Sequence, residues 1–208
     1  MKSFSSWPRK VVLASGNAGK LREISSWLAP LGTEVLLQST YEVPTVAETG
    51  VSFLENALIK ARHCARHTGL ASLADDSGLC VSFLQREPGV RSARYAGPEA
   101  TDVQNVAKLL QALEKATPSH RAAYFWCSLV WVREAGDPTP LVAEGQLRGH
   151  ITEVIQGSDG FGYDPVFCPV GFDKTLAQMS LSQKNQVSHR GMALRKLCAQ
   201  MCALSEDM

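Results

Sequence analysis

Apolar positions along the chain alternate between short, almost continuous runs and longer stretches with helical spacing. The run from Val11 to Ala14 is followed by a segment in which Leu21, Ile24 and Leu28 recur every three or four residues. Continued along the chain, this alternation is typical of an α/β fold. It predicts helices at 19–30, 51–68, 102–116 and 186–204, and strands at 10–14, 34–38, 71–75, 79–84, 121–133 and 140–155.

The last two of these strands differ from the others in their connection. They are long, follow one another directly, and are joined by the turn-forming run Ala135-Gly136-Asp137-Pro138. We therefore expect a hairpin, and with it a sheet that contains antiparallel as well as parallel pairs. No internal repeat or low-complexity linker interrupts the sequence.

Length and composition fit a compact protein built as one domain or as a domain with a lobe, and we predict a single domain over residues 1–208 with residues 1–9 as a short N-terminal extension. The 208 residues are 45% hydrophobic, which is enough for a sizeable core. The apolar runs are short and the first residues lack the apolar core of a signal peptide, so we expect a cytoplasmic protein without a membrane partner. A formal net charge of +1 provides no general field for a nucleic acid polymer.

The six cysteines form no CxxC motif and sit mainly within apolar segments, so they are interpreted as reduced core residues. The segments 63–67 and 198–202 do have His and Cys residues four positions apart, a spacing that a zinc site can use. Because both segments fall on predicted helices, the same spacing is also that of a packed helix face.

Two adjacent carboxylates, Asp75 and Asp76, follow an apolar stretch and precede Ser77-Gly78. Adjacent acids at the end of a strand repel one another by about 1 kcal/mol or more unless a cation, a basic side chain or a proton offsets them. The run therefore indicates a metal site. The alternative is a solvated turn, which the same four residues also favour.

A glycine-containing loop, Ser15 to Lys20, lies between the first predicted strand and helix. Such a loop directs backbone N–H groups at an anion, and Lys20 adds a full positive charge. It is not a P-loop, because only two residues separate Gly16 from Gly19 and Leu21 stands where a Ser or Thr would hold magnesium.

Glu48 lies just before the second predicted helix, and Lys60 lies within that helix. Glu48 is a candidate metal carboxylate and Lys60 a candidate phosphate-binding cation. The alternative makes Glu48 an acid favoured by the helix dipole and Lys60 part of a solvated face.

The run Gly160 to Pro165 places two aromatic residues between glycines, next to Asp164. Glycine permits close approach to a flat ligand, an aromatic ring can stack on a base, and a carboxylate can accept hydrogen bonds from it. Farther on, Lys184, His189 and Arg190 suit a polyanion or an electronegative ring edge. A Gly/Pro turn with core aromatics and a plain basic helix surface are the corresponding alternatives.

Seven motifs in this order resemble the inosine/xanthosine triphosphate pyrophosphatase family, and the resemblance covers residues 10 to about 204. The motifs are SGNAGK (15–20), AETG (47–50), ENALIKAR (55–62), ADDSG (74–78), SARYAG (92–97), GFGYDP (160–165) and SHRGMAL (188–194). The resemblance implies hydrolysis of deaminated purine nucleoside triphosphates such as ITP, dITP and XTP to a monophosphate and pyrophosphate. That reaction keeps aberrant bases out of DNA and RNA.

The resemblance also implies a set of roles. Asp76 would be the general base and, with Glu48, a ligand of Mg²⁺. The triphosphate and sugar would contact Ser15, Gly16, Asn17, Ala18, Gly19, Lys20, Lys60 and Ser77. The base would be surrounded by Phe161, Gly162, Tyr163, Asp164, Lys184, His189 and Arg190. The implied fold is an elongated mixed α/β sheet with helices, two lobes around a central nucleotide-binding cleft, and a homodimeric assembly.

Two details depart from the family pattern or lie outside it. Ser15 stands where many relatives carry Thr, and either hydroxyl can bond a phosphate. Asp159 is an extra acid beside the glycine-aromatic run, and it receives no role. Two other functions remain open at this stage: a related pyrophosphatase with a different base pocket, and a module that binds a nucleotide without cleaving it.

Overall fold

The computed structural model describes residues 8–206. Within them, six strands form one sheet in the order β2-β1-β3-β4-β5-β6. The strands are β1 (Lys10–Leu13), β2 (Glu34–Leu37), β3 (Ser72–Val81), β4 (Ala122–Val132), β5 (Leu141–Ile151) and β6 (Phe167–Pro169). The α-helices are α1 (Ala18–Leu28), α2 (Phe53–Thr68), α3 (Asp102–Ala112), α4 (Leu181–Val187) and α5 (His189–Glu206).

The sheet is mixed, as predicted. β1 pairs in parallel with β2 and with β3, whereas β5 and β6 are antiparallel. β4 and β5 are neighbours in the sheet and are joined only by residues 133–140, which is too short for a parallel crossover and fits the predicted hairpin. The prediction of a mixed α/β fold is thus confirmed.

The predicted break at Asp75-Asp76-Ser77-Gly78 is wrong. β3 runs without interruption from Ser72 to Val81, so both acids lie in the middle of a strand and not at its end. Nine of its ten residues are buried, with only Ser77 half-buried. A central strand covered on both faces can be a continuous buried run, and the polar residues within it are then held by partners instead of forming a turn.

The end of the chain also differs from the prediction. The predicted helix 186–204 is preceded by the unpredicted helix α4, and the two helices are separated by Ser188, whose backbone is extended at φ −67° and ψ 154°. The Ser188 hydroxyl accepts a hydrogen bond from the Gly191 N–H at 3.0 Å, which caps the start of α5. The short strand β6 was missed as well, because it ends in a proline and occupies the edge of the sheet.

Local sequence signals fix where α2 begins and ends. Ser52 accepts a hydrogen bond from the Glu55 N–H, and the Glu55 carboxylate accepts one from the Ser52 N–H, which together form a capping box. Gly69 ends the helix with a left-handed backbone at φ 66°. These signals place Lys60 in the middle of the helix.

The chain divides into two compact units. The first comprises Met1–Asp76, Ser128–Glu144 and Met192–Met208, and the second comprises Ser77–Cys127 and Gly145–Gly191. In the first unit, Ala57 and Ala61 of α2 belong to one buried apolar cluster with residues of three strands: Val12 of β1, Ala74 of β3 and Val130 of β4. In the second, the rings of Phe125 and Phe167 lie 4.7 Å apart within a buried apolar cluster.

The prediction of one domain over 1–208 stays a prediction, and most of the predicted extension 1–9 lies outside the described residues. Four of the six cysteines, Cys64, Cys80, Cys127 and Cys168, are buried. No helix within residues 8–206 is both long enough and apolar enough to cross a membrane.

Candidate active site

Asp75 and Lys20 form a buried ion pair in the first unit. The Asp75 side chain is fully buried, and its Oδ1 lies 2.6 Å from Lys20 Nζ. The same ammonium group donates a second hydrogen bond to the Asp75 carbonyl at 3.1 Å. Lys20 reaches this position from the first turn of α1, which Asn17 caps by accepting the Lys20 N–H at 3.0 Å. A charge buried this deeply needs such a partner.

Lys60 holds the second carboxylate of the pair together with Glu48. Its Nζ lies 2.5 Å from Asp76 Oδ1 and 3.0 Å from Glu48 Oε1, and it also donates to the Asp75 carbonyl at 3.1 Å. The predicted candidates from three separate segments are therefore in contact. The solvated-face interpretation of Lys60 is wrong, because only 14% of its side chain is exposed.

The other oxygen of Asp76 is in a different situation. Oδ2 is buried and has no hydrogen-bond partner among residues 8–206. Buried carboxylate oxygens are almost always satisfied, so one without a partner requires an explanation. It is available to a group from outside the chain, such as a cation or a water molecule.

Burial and charge act in opposite directions on this cluster. Burial raises the pKa of Asp76, and the ammonium groups of Lys60 and Lys20 only partly oppose that rise. Burial lowers the pKa of Lys60, but the carboxylates of Asp76 and Glu48 outweigh it, so the pKa of Lys60 is raised overall. Asp76 thus takes a proton more readily than an ordinary aspartate, which suits a general base.

The two carboxylates at Lys60, Asp76 and Glu48, are of the kind that bind a divalent cation together with water and substrate oxygens. Within residues 8–206, no group of three or more His, Cys, Asp or Glu side chains is arranged to hold a metal ion. Mg²⁺ typically takes one or two carboxylates and completes its shell with water and substrate phosphates. Asp76 with its unpartnered oxygen and Glu48 at the same ammonium group supply that number.

The segment before α2 positions Glu48 through a side chain that the sequence analysis did not single out. Asn56 is fully buried, and its Oδ1 accepts a hydrogen bond from the Gly50 N–H at 2.8 Å. A Cβ at Gly50 would lie 2.5 Å from the Glu55 Cβ, so only glycine permits this close approach to α2. Asn56 could have been found from its polar character on the buried side of a helix.

The loop 15–20 keeps the strand-to-helix position that the sequence predicted. Ser15 Oγ accepts a hydrogen bond from the Asn17 N–H at 3.1 Å, which tightens the turn. Gly16, Asn17 and Ala18 are exposed, whereas Gly19 is buried. The exposed start of α1 and the ammonium of Lys20 are an arrangement that favours anions.

In the second unit, Asp164 and Lys184 form a buried ion pair. Asp164 Oδ2 lies 2.7 Å from Lys184 Nζ and also accepts a hydrogen bond from the Phe161 N–H at 2.9 Å. The Lys184 ammonium lies 4.5 Å from the centre of the Phe161 ring, and the Arg190 guanidinium lies 5.5 Å from it. Phe161 is therefore an aromatic face with two cations beside it.

Arg190 and His189 begin helix α5 and are both buried. Arg190 donates a hydrogen bond to the Ser77 hydroxyl at 2.9 Å. The His189 ring stacks on Phe125, with ring centres 4.6 Å apart and planes 9° from parallel. The stack fixes the plane of the imidazole, so Phe125 is a further residue that the sequence analysis did not single out. A lone aromatic in an apolar strand carries no signal of such a role.

Tyr163 packs in the core. Its side chain is buried and its hydroxyl donates to the Ser92 carbonyl at 2.8 Å. Burial raises its pKa well above the ordinary range of tyrosine. At this position the core alternative describes the side chain, and Gly162 presents its N–H to Asp102 at 2.7 Å.

Comparison with known proteins identifies the family of this chain. The family model described as the Ham1 family matches residues 11–200. A curated dITP/XTP pyrophosphatase of Vibrio parahaemolyticus is 50% identical over 195 residues, which are 94% of this chain and 98% of that protein. A dITP/XTP pyrophosphatase of Methylococcus capsulatus is also 50% identical, over 95% of this chain and 98% of its own.

Solved structures give the same result. A HAM1 protein from Coxiella burnetii is 44% identical, with a TM-score of 0.84 over 95% of this chain and 98% of that one. The Ham1 protein of Staphylococcus aureus is 36% identical, with a TM-score of 0.81 over 96% of this chain and all of that one. With a family model that spans nearly the whole sequence and relatives at half identity over nearly their full length, this chain belongs to the Ham1 family.

Proposed function

We propose that this protein hydrolyses deaminated purine nucleoside triphosphates, namely ITP, dITP and XTP, to the monophosphate and pyrophosphate with Mg²⁺. Relatives about 50% identical over most of the chain bear the name dITP/XTP pyrophosphatase. The single observation that carries the proposal is the Asp76 carboxylate: one oxygen pairs with Lys60, and the other is buried without a hydrogen-bond partner in the described part of the chain.

Asp76 is the general base of the proposed reaction. It accepts a proton from the water that attacks the α-phosphorus, and the bond from that phosphorus to the bridging oxygen of the pyrophosphate breaks. The raised pKa of Asp76 helps it to accept the proton near neutral pH. Mg²⁺ held by Asp76 and Glu48 would supply positive charge where the phosphate oxygens gain negative charge.

Lys20 and Lys60 have a second role in this proposal. Both ammonium groups form ion pairs with buried carboxylates and donate hydrogen bonds to the Asp75 carbonyl. A bound triphosphate would bring negative phosphate oxygens together with a positive cation. The cation would compensate the charge of the carboxylates Asp75 and Asp76, so each lysine could direct an N–H donor toward a phosphate oxygen. Donors fixed in advance in a water-poor site stabilise the transition state more than donors in water.

The base-binding role belongs to the second unit. Hypoxanthine and xanthine carry an acceptor oxygen at C6, where adenine carries an amino donor. Lys184, His189 and Arg190 offer donors, and Phe161 offers a ring for stacking. A buried donor that faces another donor stays unpaired, which can reject an analogue by a factor on the order of 10^4. Adenine nucleotides should therefore be poor substrates.

The test is the release of pyrophosphate and of orthophosphate from ITP, XTP, ATP, GTP and dTTP, with Mg²⁺ and with chelator. Mg²⁺-dependent pyrophosphate from ITP and XTP alone supports the proposal. Orthophosphate as the product would overturn the cleavage position, and a pyrimidine or methylated nucleotide as the best substrate would overturn the base assignment. Binding without turnover would favour a nucleotide-binding module.

We also propose that the protein works as a homodimer in the cytoplasm, where it would act on free nucleotides and not on a nucleic acid polymer. The proposal for the compartment follows from the substrate, because a pool-cleansing enzyme must share the compartment of the pool. Sedimentation equilibrium tests the dimer, and a monomer at all concentrations would overturn it.

A further inference from the structure

Asp102, an exposed acid at the start of α3, contacts the segment 160–164 that is proposed to bind the base. Its Oδ2 accepts a hydrogen bond from the backbone N–H of Gly162 at 2.7 Å. Gly162 follows Phe161 directly in the chain, whereas Asp102 lies 60 residues away. The contact therefore links two elements that are distant in sequence.

Three of the hydrogen bonds that hold the segment 160–164 come from different parts of the second unit. Asp164 accepts the Phe161 N–H, Tyr163 donates to the Ser92 carbonyl, and Asp102 accepts the Gly162 N–H. Gly162 has a left-handed backbone at φ 62° and, as glycine, the widest choice of other conformations. Asp102 thus restrains one of the two glycines of the segment, the one that directly follows Phe161.

The backbone that carries Asp102 is held in place at the start of α3. Thr101 and Gln104 form a capping box at the start of α3. One turn into the helix, the buried Asn105 accepts the Ala96 N–H at 2.8 Å and donates to the Ala93 carbonyl at 3.1 Å. A rigid helix start can therefore impose its position on the glycine that it contacts.

We infer that Asp102 is a positioning residue for base recognition, which acts by fixing Gly162 and through it the ring of Phe161. The inference rests on the proposed function, since it assigns Phe161 to the base. Asp102 does not belong to the Asp76 cluster, so its loss changes the binding of the base and not the chemical step. The effect therefore belongs in KM for ITP.

The test compares three variants: Asp102→Ala, which removes the acceptor; Asp102→Asn, which keeps an acceptor oxygen without the charge; and Glu99→Ala, which removes a nearby exposed charge. We expect Asp102→Ala to raise KM for ITP roughly 3- to 10-fold with kcat within about twofold, as for one lost hydrogen bond to a charged group near the surface. Asp102→Asn should have a KM for ITP close to the wild-type value, and Glu99→Ala should have the same KM and kcat as the wild type.

Amide hydrogen exchange at Gly162, measured without nucleotide, reports on the hydrogen bond to Asp102 independently of catalysis. Exchange should accelerate in Asp102→Ala and return toward wild type in Asp102→Asn. Faster exchange with an unchanged KM for ITP would overturn the inference, and so would an unchanged exchange rate at Gly162. Both outcomes would leave the proposed function intact. A fall in kcat with KM unchanged would also overturn it. A wild-type protein that neither binds nor cleaves ITP would overturn the proposed function, and this role with it.

Discussion

Lys60 Nζ lies 2.5 Å from Asp76 Oδ1, while Oδ2 of the same carboxylate is buried and has no hydrogen-bond partner within the residues that the structure describes. One oxygen is therefore committed to an ion pair and the other is ready for a ligand. An unsatisfied buried carboxylate oxygen is costly in a folded protein, on the order of 1–3 kcal/mol. The cost is offset when this oxygen binds a water molecule or a cation during turnover.

Asp76→Asn should lower kcat for ITP by a factor of at least about 10^2 with a much smaller change in nucleotide binding, because asparagine keeps the shape but cannot take the proton. Steady-state kinetics together with a direct binding measurement separates the two effects. Glu34→Gln is a matched control, since Glu34 is an exposed acid that pairs with Lys10 at 3.9 Å. Near-normal turnover in Asp76→Asn would exclude Asp76 as the base.

Removal of Mg²⁺ should abolish pyrophosphate release, and loss of a ligand should shift the metal requirement. We expect Glu48→Gln to raise the Mg²⁺ concentration for half-maximal activity by about tenfold or more, which corresponds to on the order of 1.4 kcal/mol. The measurement is a Mg²⁺ titration at saturating ITP. Glu42→Gln, at an exposed acid earlier in the chain, should leave the titration unchanged. If Glu48→Gln also leaves the curve in place, Glu48 is not a metal ligand.

The comparison of sequence and structure shows which signals were sufficient. The alternation of strands and helices and the hairpin followed from local patterns, because an apolar run or a turn signal marks each element. The joint roles of Glu48, Lys60 and Asp76 followed from the family resemblance and not from a local pattern. The continuity of β3 did not follow. The turn signal in Asp75-Asp76-Ser77-Gly78 was overridden by partners distant in sequence, Lys20 and Lys60.

The contacts that orient site residues were equally invisible in the sequence. Phe125 stacks on His189, 64 positions later in the numbering, and Asp102 holds Gly162. Neither residue belongs to a motif that indicates chemistry. Pairing at long range depends on which strands and helices become neighbours, and the strand order is not encoded in any local pattern.

Loss of the Lys60 ammonium should destabilise the protein in a pH-dependent way. In Lys60→Met, Asp76 keeps a buried charge without its partner, which costs roughly 3–5 kcal/mol for a deeply buried pair and less where some solvent reaches it. The pKa of Asp76 is already raised by burial and rises further without the lysine. The native state then binds more protons than the unfolded state, so the free energy of unfolding falls as pH rises.

Denaturant unfolding without Mg²⁺ at about pH 5 and about pH 8 measures this effect, and the loss in Lys60→Met should be larger at the higher pH. Lys10→Met is the matched control, since Lys10 and Glu34 are both more than half exposed at 3.9 Å and such a pair contributes about 0–1 kcal/mol. An equal loss at both pH values would mean that Asp76 does not carry the uncompensated charge.

Asp137 should contribute to stability at neutral pH and lose that contribution in acid. Hydrogen bonds from Arg133 lower its pKa to about 2 from an ordinary 3.8, against the opposing effect of burial, and the N–H groups of Arg133 and Thr139 add to the lowering. Because the folded pKa is depressed, the stabilisation is present above about pH 4 and disappears as pH falls toward about 2.

The expected size is on the order of 2 kcal/mol, given about 1.4 kcal/mol for each pKa unit. Asp137→Asn should show it as a lower free energy of unfolding at neutral pH and a shallower decline between about pH 4 and about pH 2. Glu134→Gln, at an exposed neighbour in the same turn, should decline like the wild type. Parallel curves for Asp137→Asn and the wild type would show that the ion pair does not stabilise the fold.

Phe161→Ala should weaken nucleotide binding more than catalysis. Stacking of a base on an aromatic ring contributes about 1–3 kcal/mol in proteins that bind single strands. The ring also lies beside the Lys184 ammonium at 4.5 Å and the Arg190 guanidinium at 5.5 Å, so its loss removes a surface that keeps both donors in place. We therefore expect KM for ITP to rise by about 5- to 100-fold while kcat changes little, and the preference for ITP over ATP to narrow.

Phe83→Ala provides the control, because Phe83 is 46% exposed and contacts His120 at 5.6 Å. A KM for ITP that stays unchanged in Phe161→Ala would remove Phe161 from the base site, whereas a large fall in kcat alone would assign it to the chemical step.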